Sequence, residues 1–274
     1  MSIASWRQMD AVLKSFRHDG REARLWWRDD DAEVVTPELL RLAARAERHD
    51  IPLSLAVIPA GASKGLREIL ARGRGWTAMV HGFAHKSYAP AGEKKAEFGP
   101  HRPLTRMGGE LRMGLDRLCG VLPDHARSVF VPPWNRIAPD LVPELPALGF
   151  AALSTFGPRP ERPALPMLNT HLDVMNWREK RFAGAQELLD KLSALLECQR
   201  QADESAAEPI GILTHHRQHD AAAEAFLDKL ASRLSSAGTV RWLGLDDALH
   251  GVTAGPEAEA TDSIQSLRPA KATA

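Results

Sequence analysis

Residues 25–31 read Leu25-Trp26-Trp27-Arg28-Asp29-Asp30-Asp31, an apolar run that ends in one basic and three acidic side chains. Short apolar runs bounded by polar residues are typical of strands that are buried on both faces, as in a parallel sheet. In a parallel α/β barrel, the residues that follow the strands gather at one face and carry the chemistry. The stretch therefore predicts a buried strand with functional side chains at its carboxyl end.

The same arrangement recurs along the chain. Polar clusters accompany four later apolar runs: His81-Gly82-Phe83-Ala84-His85, Pro132-Pro133-Trp134-Asn135-Arg136, Thr170-His171-Leu172-Asp173 and Thr214-His215-His216. Strands are predicted over 23–27, 52–58, 76–80, 128–131, 150–155, 168–174, 210–214 and 240–245. Segments with a helical period lie between them, over 36–49, 64–72, 107–121, 138–148, 184–202 and 221–237. This alternation of seven or eight units predicts an α/β fold, a closed or distorted barrel of parallel strands in a single domain.

The chain divides into three predicted segments. An amphipathic helix within residues 1–20 is expected to pack on the barrel, because apolar side chains recur there at helical spacing. The barrel itself is predicted to occupy residues 21–250. Residues 251–274 are mostly small or polar and lack an apolar period, which predicts a disordered tail.

The composition excludes several classes of protein. The 274 residues carry 35 basic and 35 acidic side chains, so the net charge of zero offers no field for nucleic acid or an anionic membrane. No apolar run approaches the roughly 18 residues of a membrane span. The two cysteines cannot form a disulfide framework. The N-terminus lacks the layout of a signal peptide, so we expect a cytoplasmic protein with no nucleic-acid or membrane partner.

The acidic triplet and two histidines suggest a metal site. Adjacent carboxylates repel one another, and a divalent cation would relieve that repulsion while one carboxylate stays free as a base. His81 and His85 are four residues apart, so both imidazoles reach one ion if the segment turns helically. A His-His-Asp set suits Zn²⁺, and Fe²⁺, Co²⁺ and Ni²⁺ also accept it.

Taken in order, the clusters resemble the five motifs of the polysaccharide deacetylase (NodB-homology) family, also called carbohydrate esterase family 4. The first motif pairs a base aspartate with a metal-binding aspartate and is similar to Asp29-Asp30. The second, H-x-x-x-H, is similar to His81 and His85. The remaining three are similar to Val131-Pro132-Pro133-Trp134-Asn135, to Asp173 with Trp177, and to Leu213-Thr214-His215. The resemblance covers residues 25–216 and implies that the barrel is of the distorted (β/α)7 type.

The resemblance implies a metal-dependent hydrolase that removes an acetyl group from an N- or O-acetylated carbohydrate or a related small molecule. It assigns one divalent metal, zinc foremost, to Asp30, His81 and His85. It makes Asp29 the general base and His215 the general acid. The residues that it implies along the substrate pocket are Trp134, Asn135, Arg136, Asp173 and Trp177.

One departure concerns the arginine that starts the third motif and orients the catalytic aspartate in the family. Val131 holds its place here. Arg28 and Arg136 are both candidates to replace it. The departure indicates a divergent branch, whose substrate need not be a polymer.

Two other functions compete with the hydrolase. His171, Asp173 and His215 fit the H-x-D…H ligand pattern of non-haem iron oxygenases, although that pattern usually lies on an all-β fold. The missing arginine also suits a barrel that binds a glycan without cleaving it. Retention of Asp29 and His215 argues against the binding module, because binding alone requires neither. The oligomeric state is left open.

Overall fold

The computed structural model describes residues 3–204 and 207–253, which form seven α-helices and ten strands. The helices are α1 (Ile3–His18), α2 (Pro37–Arg48), α3 (Leu66–Leu70), α4 (Leu104–Val121), α5 (Ala185–Gln201), α6 (Ala221–Ser236) and α7 (Leu245–Thr253). The strands are β1 (Ala23–Ala32), β2 (Leu53–Val57), β3 (Thr77–His81), β4 (Ala126–Val131), β5 (Ala152–Leu153), β6 (Leu172–Asp173), β7 (Met175–Asn176), β8 (Arg181–Phe182), β9 (Ile210–Thr214) and β10 (Val240–Trp242). None of the described helices is both long and apolar enough to cross a membrane.

The main sheet is parallel and curls around a buried interior. Its strands follow the order β5-β4-β3-β2-β1-β9-β6, and β10 pairs with the first residues of β1. Single parallel bridges, Leu153 to Met167 and Phe156 to Thr170, connect β5 with the segment that leads into β6. These bridges bring the two edges of the sheet together. The predicted α/β distorted barrel is therefore confirmed.

Helices cover the outside of the barrel. Helix α1 buries Trp6, Met9, Leu13 and Phe16, and the Trp6 ring lies 5.8 Å from the ring of Phe226 on α6. Thr36 caps α2 by accepting the Leu39 N–H, and Pro37 supplies the first helical residue. Of the segment predicted as a tail, residues 251–253 continue α7, and the remainder lies outside the described residues.

Two sequence expectations fail for local reasons. Residues 138–148 form two short 3₁₀ turns, Pro139–Glu144 and Pro146–Leu148, instead of an α-helix. Three prolines in this stretch lack the N–H groups that a helix requires. The predicted strand over 240–245 ends at Trp242, and the antiparallel pair of β7 and β8 was not foreseen.

Strand β1 is longer than predicted and bulged, and this positions the candidate site. It continues to Ala32, so the three aspartates lie within the strand. Asp29 pairs with Leu55 of β2, and Ala32 pairs with Val57. Three steps along β1 therefore correspond to two steps along β2. Asp31 adopts a φ of 72° at this irregularity. Because a bulge interrupts the strict alternation of side chains, Asp30 and Asp31 both reach the carboxyl end of the barrel.

Candidate active site

Asp31 meets both predicted histidines at the carboxyl end of the barrel. Its Oδ1 atom lies 3.2 Å from Nε2 of His81 and 3.3 Å from Nε2 of His85. Asp31, His81 and His85 form a possible metal-binding group. Within the described part of the chain, no other group of three or more His, Cys, Asp or Glu side chains has its ligand atoms within 4.8 Å of one another. Ligands held roughly 2.1 Å from one cation are separated by about these distances. The three residues therefore fit a divalent metal.

The acidic ligand predicted from the sequence was Asp30, but the carboxylate that lies beside both histidines in the structure is that of Asp31. The bulge turns the Asp31 side chain toward the histidines, whereas Asp30 is engaged by Arg28. Three consecutive aspartates carry no local signal of where a bulge falls, so the sequence could not fix this choice.

The two histidines differ in their electrostatic surroundings. Nδ1 of His81 lies 3.0 Å from the carbonyl oxygen of Val131, which only accepts, so Nδ1 carries the proton in the neutral ring. Burial lowers the pKa of His81, but Asp30 and Asp31 outweigh burial and raise it, so this position attracts positive charge. Burial and the nearby His81 lower the pKa of His85 to about 4. At neutral pH, His85 is therefore neutral and able to bind a cation.

Arg28, one of the two candidates to replace the missing third-motif arginine, contacts Asp30 inside the barrel. Its Nε lies 2.9 Å from Oδ1 of Asp30, and its Nη2 donates to Oδ2 at 3.1 Å. The guanidinium is fully buried and also donates to Oγ of Ser154 at 2.8 Å and to Oδ1 of Asn135 at 3.1 Å. Arg136, the other candidate, donates to the carbonyl oxygen of Lys95 instead.

His215 lies between two carboxylates. Its Nε2 is 3.9 Å from Oδ2 of Asp30, and its Nδ1 is 4.0 Å from Oδ1 of Asp173. Both distances exceed hydrogen-bond length, and the buried Nδ1 has no hydrogen-bond partner among the described residues. Burial raises the pKa of Asp173, while His215 opposes the rise. The imidazole is thus free to exchange protons with a molecule that enters the site.

Trp177 and Trp134 each lie against one histidine of the candidate site. Trp177 is 47% exposed, donates from Nε1 to Oδ2 of Asp173 at 2.7 Å, and meets the His215 ring edge-on at 4.6 Å. The Trp134 ring lies 4.4 Å from that of His85. Trp134 and Asn135 both adopt positive φ values, of 57° and 54°, which are uncommon for residues other than glycine.

Asp29, predicted as the general base, is instead buried beneath the site. Its carboxylate accepts the hydroxyl of Thr214 at 2.6 Å and the backbone N–H of His216 at 3.1 Å. Its other oxygen lies 2.5 Å from Nδ1 of His216, and both side chains are fully buried. Burial raises the pKa of Asp29, but His216 outweighs burial and lowers it. Asp29 is therefore a buried partner of His216.

The ligands predicted for an iron oxygenase do not come together. Nδ1 of His171 accepts the Gly211 N–H, and its Nε2 lies 3.5 Å from Glu208. Asp173 instead contacts Trp177 and approaches His215. These positions therefore do not support an iron site formed by His171, Asp173 and His215.

Glu97 was not foreseen as a site residue. Its fully buried carboxylate accepts the backbone N–H groups of Phe83, Ala84 and His85. Residues 93–97 lie in the loop between the predicted strand over 76–80 and the predicted helix over 107–121. Nothing local indicates that this loop folds back by more than ten residues onto the histidine segment.

No protein-family model and no curated protein sequence matches the chain. Solved structures with the same fold include a polysaccharide deacetylase from Mycobacterium smegmatis, at 13% identity and a TM-score of 0.57 over 88% of this chain and 95% of that one. A family 4 carbohydrate esterase from Streptomyces lividans, in complex with acetate, matches at 13% identity and a TM-score of 0.51 over 80% and 90%. A family 4 acetyl xylan esterase from Clostridium thermocellum, in complex with a cobalt ion, matches at 12% identity and a TM-score of 0.52 over 83% and 91%. The chain thus has the fold of the carbohydrate esterase family 4 deacetylases.

Proposed function

We propose that the protein is a metal-dependent deacetylase that acts on an N- or O-acetylated carbohydrate or a related small molecule. The observation that carries the proposal is the convergence of three groups at one end of the barrel. These are the Asp31-His81-His85 cluster, the Arg28–Asp30 pair and the free imidazole of His215. Fold alone does not establish function, so the proposal depends on these side chains. The acetate and cobalt bound by two structural neighbours are consistent with it.

Asp31, His81 and His85 would hold one divalent cation. Their two nitrogen atoms and one oxygen atom suit Zn²⁺, and Co²⁺, Ni²⁺ or Fe²⁺ would also bind. When bound, the cation would acidify water and withdraw electron density from the acyl oxygen. This assignment moves the acidic ligand from Asp30 to Asp31.

Asp30 would act as the general base and accept a proton from the attacking water. Arg28 gives this buried carboxylate a counter-charge and fixes its orientation through two contacts. The Oδ2 atom, which accepts from Nη2 of Arg28, is also the carboxylate oxygen nearest His215, at 3.9 Å from its Nε2. Asp30 therefore takes the role that the sequence resemblance gave to Asp29.

His215 would protonate the leaving amine or alkoxide. The nearby Asp173 stabilises the protonated imidazole, and Trp177 fixes the position of that carboxylate. The exposed face of Trp177 suits the C–H face of a sugar ring. The backbone N–H of Trp134 would donate to the acyl oxygen as negative charge develops there.

The proposal is tested by metal analysis of the purified protein, together with acetate release from a panel of N- and O-acetylated sugars. We expect one divalent metal per chain and acetate release that a chelator abolishes and Zn²⁺ or Co²⁺ restores. Alanine at His81 or His85 should remove both metal and activity. Binding of the sugars without acetate release in the metal-loaded protein would instead identify a glycan-binding barrel.

A further inference from the structure

The backbone between the two candidate metal-binding histidines is held by one buried carboxylate. Glu97 accepts the N–H of Ala84 through Oε1 at 2.8 Å, and those of Phe83 and His85 through Oε2 at 3.3 Å and 3.2 Å. The donors are three consecutive residues that end at His85. Because buried N–H groups without partners are unfavourable, this carboxylate satisfies the polar backbone of the whole turn.

The turn has a conformation that requires such support. Gly82 and His85 adopt φ values of 62° and 52°, and a left-handed conformation is unfavourable for a histidine. A Cβ atom on Gly82 would lie 2.1 Å from Oε2 of Glu97 and 2.5 Å from Pro133. Only glycine therefore allows the backbone to approach the carboxylate this closely.

Glu97 is itself held from two sides. Its carbonyl oxygen accepts from Arg102 at 2.8 Å, and Arg102 also pairs with Glu110 of α4. The next residue, Phe98, accepts the Ala138 N–H at 2.7 Å and packs edge-on against Phe130 of β4. The carboxylate is thus a rigid part of the barrel and not a mobile group on the surface.

We propose that Glu97 is a positioning residue for the metal site: its carboxylate clamps the turn so that Nε2 of His85 stays beside Asp31. This inference rests on the proposed function, because it assumes that Asp31, His81 and His85 hold a cation. The clamp acts through the backbone, since the bonds described for the Glu97 side chain come from N–H groups and not from the histidine rings. Outer partners of this kind commonly tune metal affinity.

The test titrates the metal-free protein with Co²⁺, because the visible spectrum of this ion reports the number and geometry of its ligands. Glu97→Ala should weaken Co²⁺ binding about 10- to 100-fold and change the spectrum. Glu97→Gln keeps only one carbonyl oxygen and should lie between this variant and the wild type. Glu93→Gln is the matched control, because it removes the same charge from an exposed position in the same loop and should change neither quantity.

Wild-type affinity and spectrum in both Glu97 variants would overturn the clamp. If Glu97→Ala does not fold, Glu97→Gln decides alone, and an unchanged affinity in it would have the same meaning. The His85→Ala variant separates this result from failure of the proposed function. Equal Co²⁺ uptake by the wild type and His85→Ala would refute the proposed metal site. Loss of uptake in His85→Ala, together with wild-type behaviour of the Glu97 variants, would refute only the role of Glu97.

Discussion

Arg28 and Asp30 lie two residues apart on β1 and meet inside the barrel, where two guanidinium nitrogens lie 2.9 Å and 3.1 Å from the two carboxylate oxygens. Both side chains are buried. The pair gives Asp30 a fixed orientation and a counter-charge, and neither comes from the loop after β4.

Two replacements of Arg28 should distinguish its effect on the orientation of Asp30 from the effect of its positive charge. Lysine keeps the charge but cannot contact Asp30, Ser154 and Asn135 at once, so Arg28→Lys should lower kcat at least about 10-fold with metal content unchanged. Arg28→Met leaves a buried carboxylate unpaired and should lower the free energy of unfolding by about 3–5 kcal/mol. Kinetics and denaturant titration measure the two effects. Arg136→Met is the control, and a larger loss of kcat there would make Arg136 the orienting residue.

Substitution of Asp30 and substitution of Asp31 should have different effects on metal retention and turnover. Asp31→Asn should abolish metal retention, because the carboxylate contacts both histidines. Asp30→Asn should retain the metal and lose at least about 10²-fold in turnover, as is typical when a general base is removed. Metal analysis and acetate release on the same samples decide the assignment. Metal loss in Asp30→Asn but not in Asp31→Asn would restore the assignment made from the sequence.

The Asp29–His216 pair should stabilise the fold within a limited pH range. Burial opposes the charge on both groups, but their attraction lowers the pKa of Asp29 and raises the pKa of His216. The Asp29 contribution is complete above an ordinary pKa of about 3.9 and is lost as pH falls through its lowered value. The His216 contribution is complete below about 6.5 and is lost as pH rises through its raised value.

Asp29→Asn should therefore lower the free energy of unfolding most strongly between about pH 4 and 6.5, by about 3–5 kcal/mol. Denaturant titrations at pH 5.5 and pH 9 measure the difference, which should shrink at the higher pH. A deficit that is the same at both values would show that the pair does not carry charge in the folded protein.

His215 and His216 should respond differently to alanine. His215→Ala should slow turnover by about 10²- to 10⁴-fold with metal content and unfolding midpoint unchanged, because it removes only the proton donor. His216→Ala should lower stability, since it strands the buried Asp29 carboxylate, while the folded fraction keeps most of its turnover. Normal turnover in His215→Ala on an active substrate would exclude it as the acid.

Much of the site was predictable because strand ends in a parallel barrel converge. The order of the polar clusters gave the barrel, and the spacing of His81 and His85 gave two side chains that do meet. His215, which the resemblance indicated, lies near Asp30 and Asp173. These features depend on regular periodicity, which is visible in a sequence.

The remaining features depend on irregular backbone and long-range contacts. The proposed general base and the proposed acidic metal ligand each lie one residue later than the sequence predicted, where β1 carries a bulge and Asp31 a positive φ. An aspartate is only moderately enriched at such positions, so the residue type does not reveal them. Likewise, Arg28 contacts Asn135 across more than a hundred residues, and only the folded chain shows this contact.

The position of Arg28 on the same strand as Asp30 has a consequence for the loop after β4. Where an arginine of the loop after β4 holds the catalytic aspartate, any displacement of that loop also removes the counter-charge of the base. Here the salt bridge is internal to β1, and the loop contributes only an amide oxygen, that of Asn135. If Asp30 is the base, residues 132–136 can therefore diverge in sequence without loss of the counter-charge that Arg28 supplies.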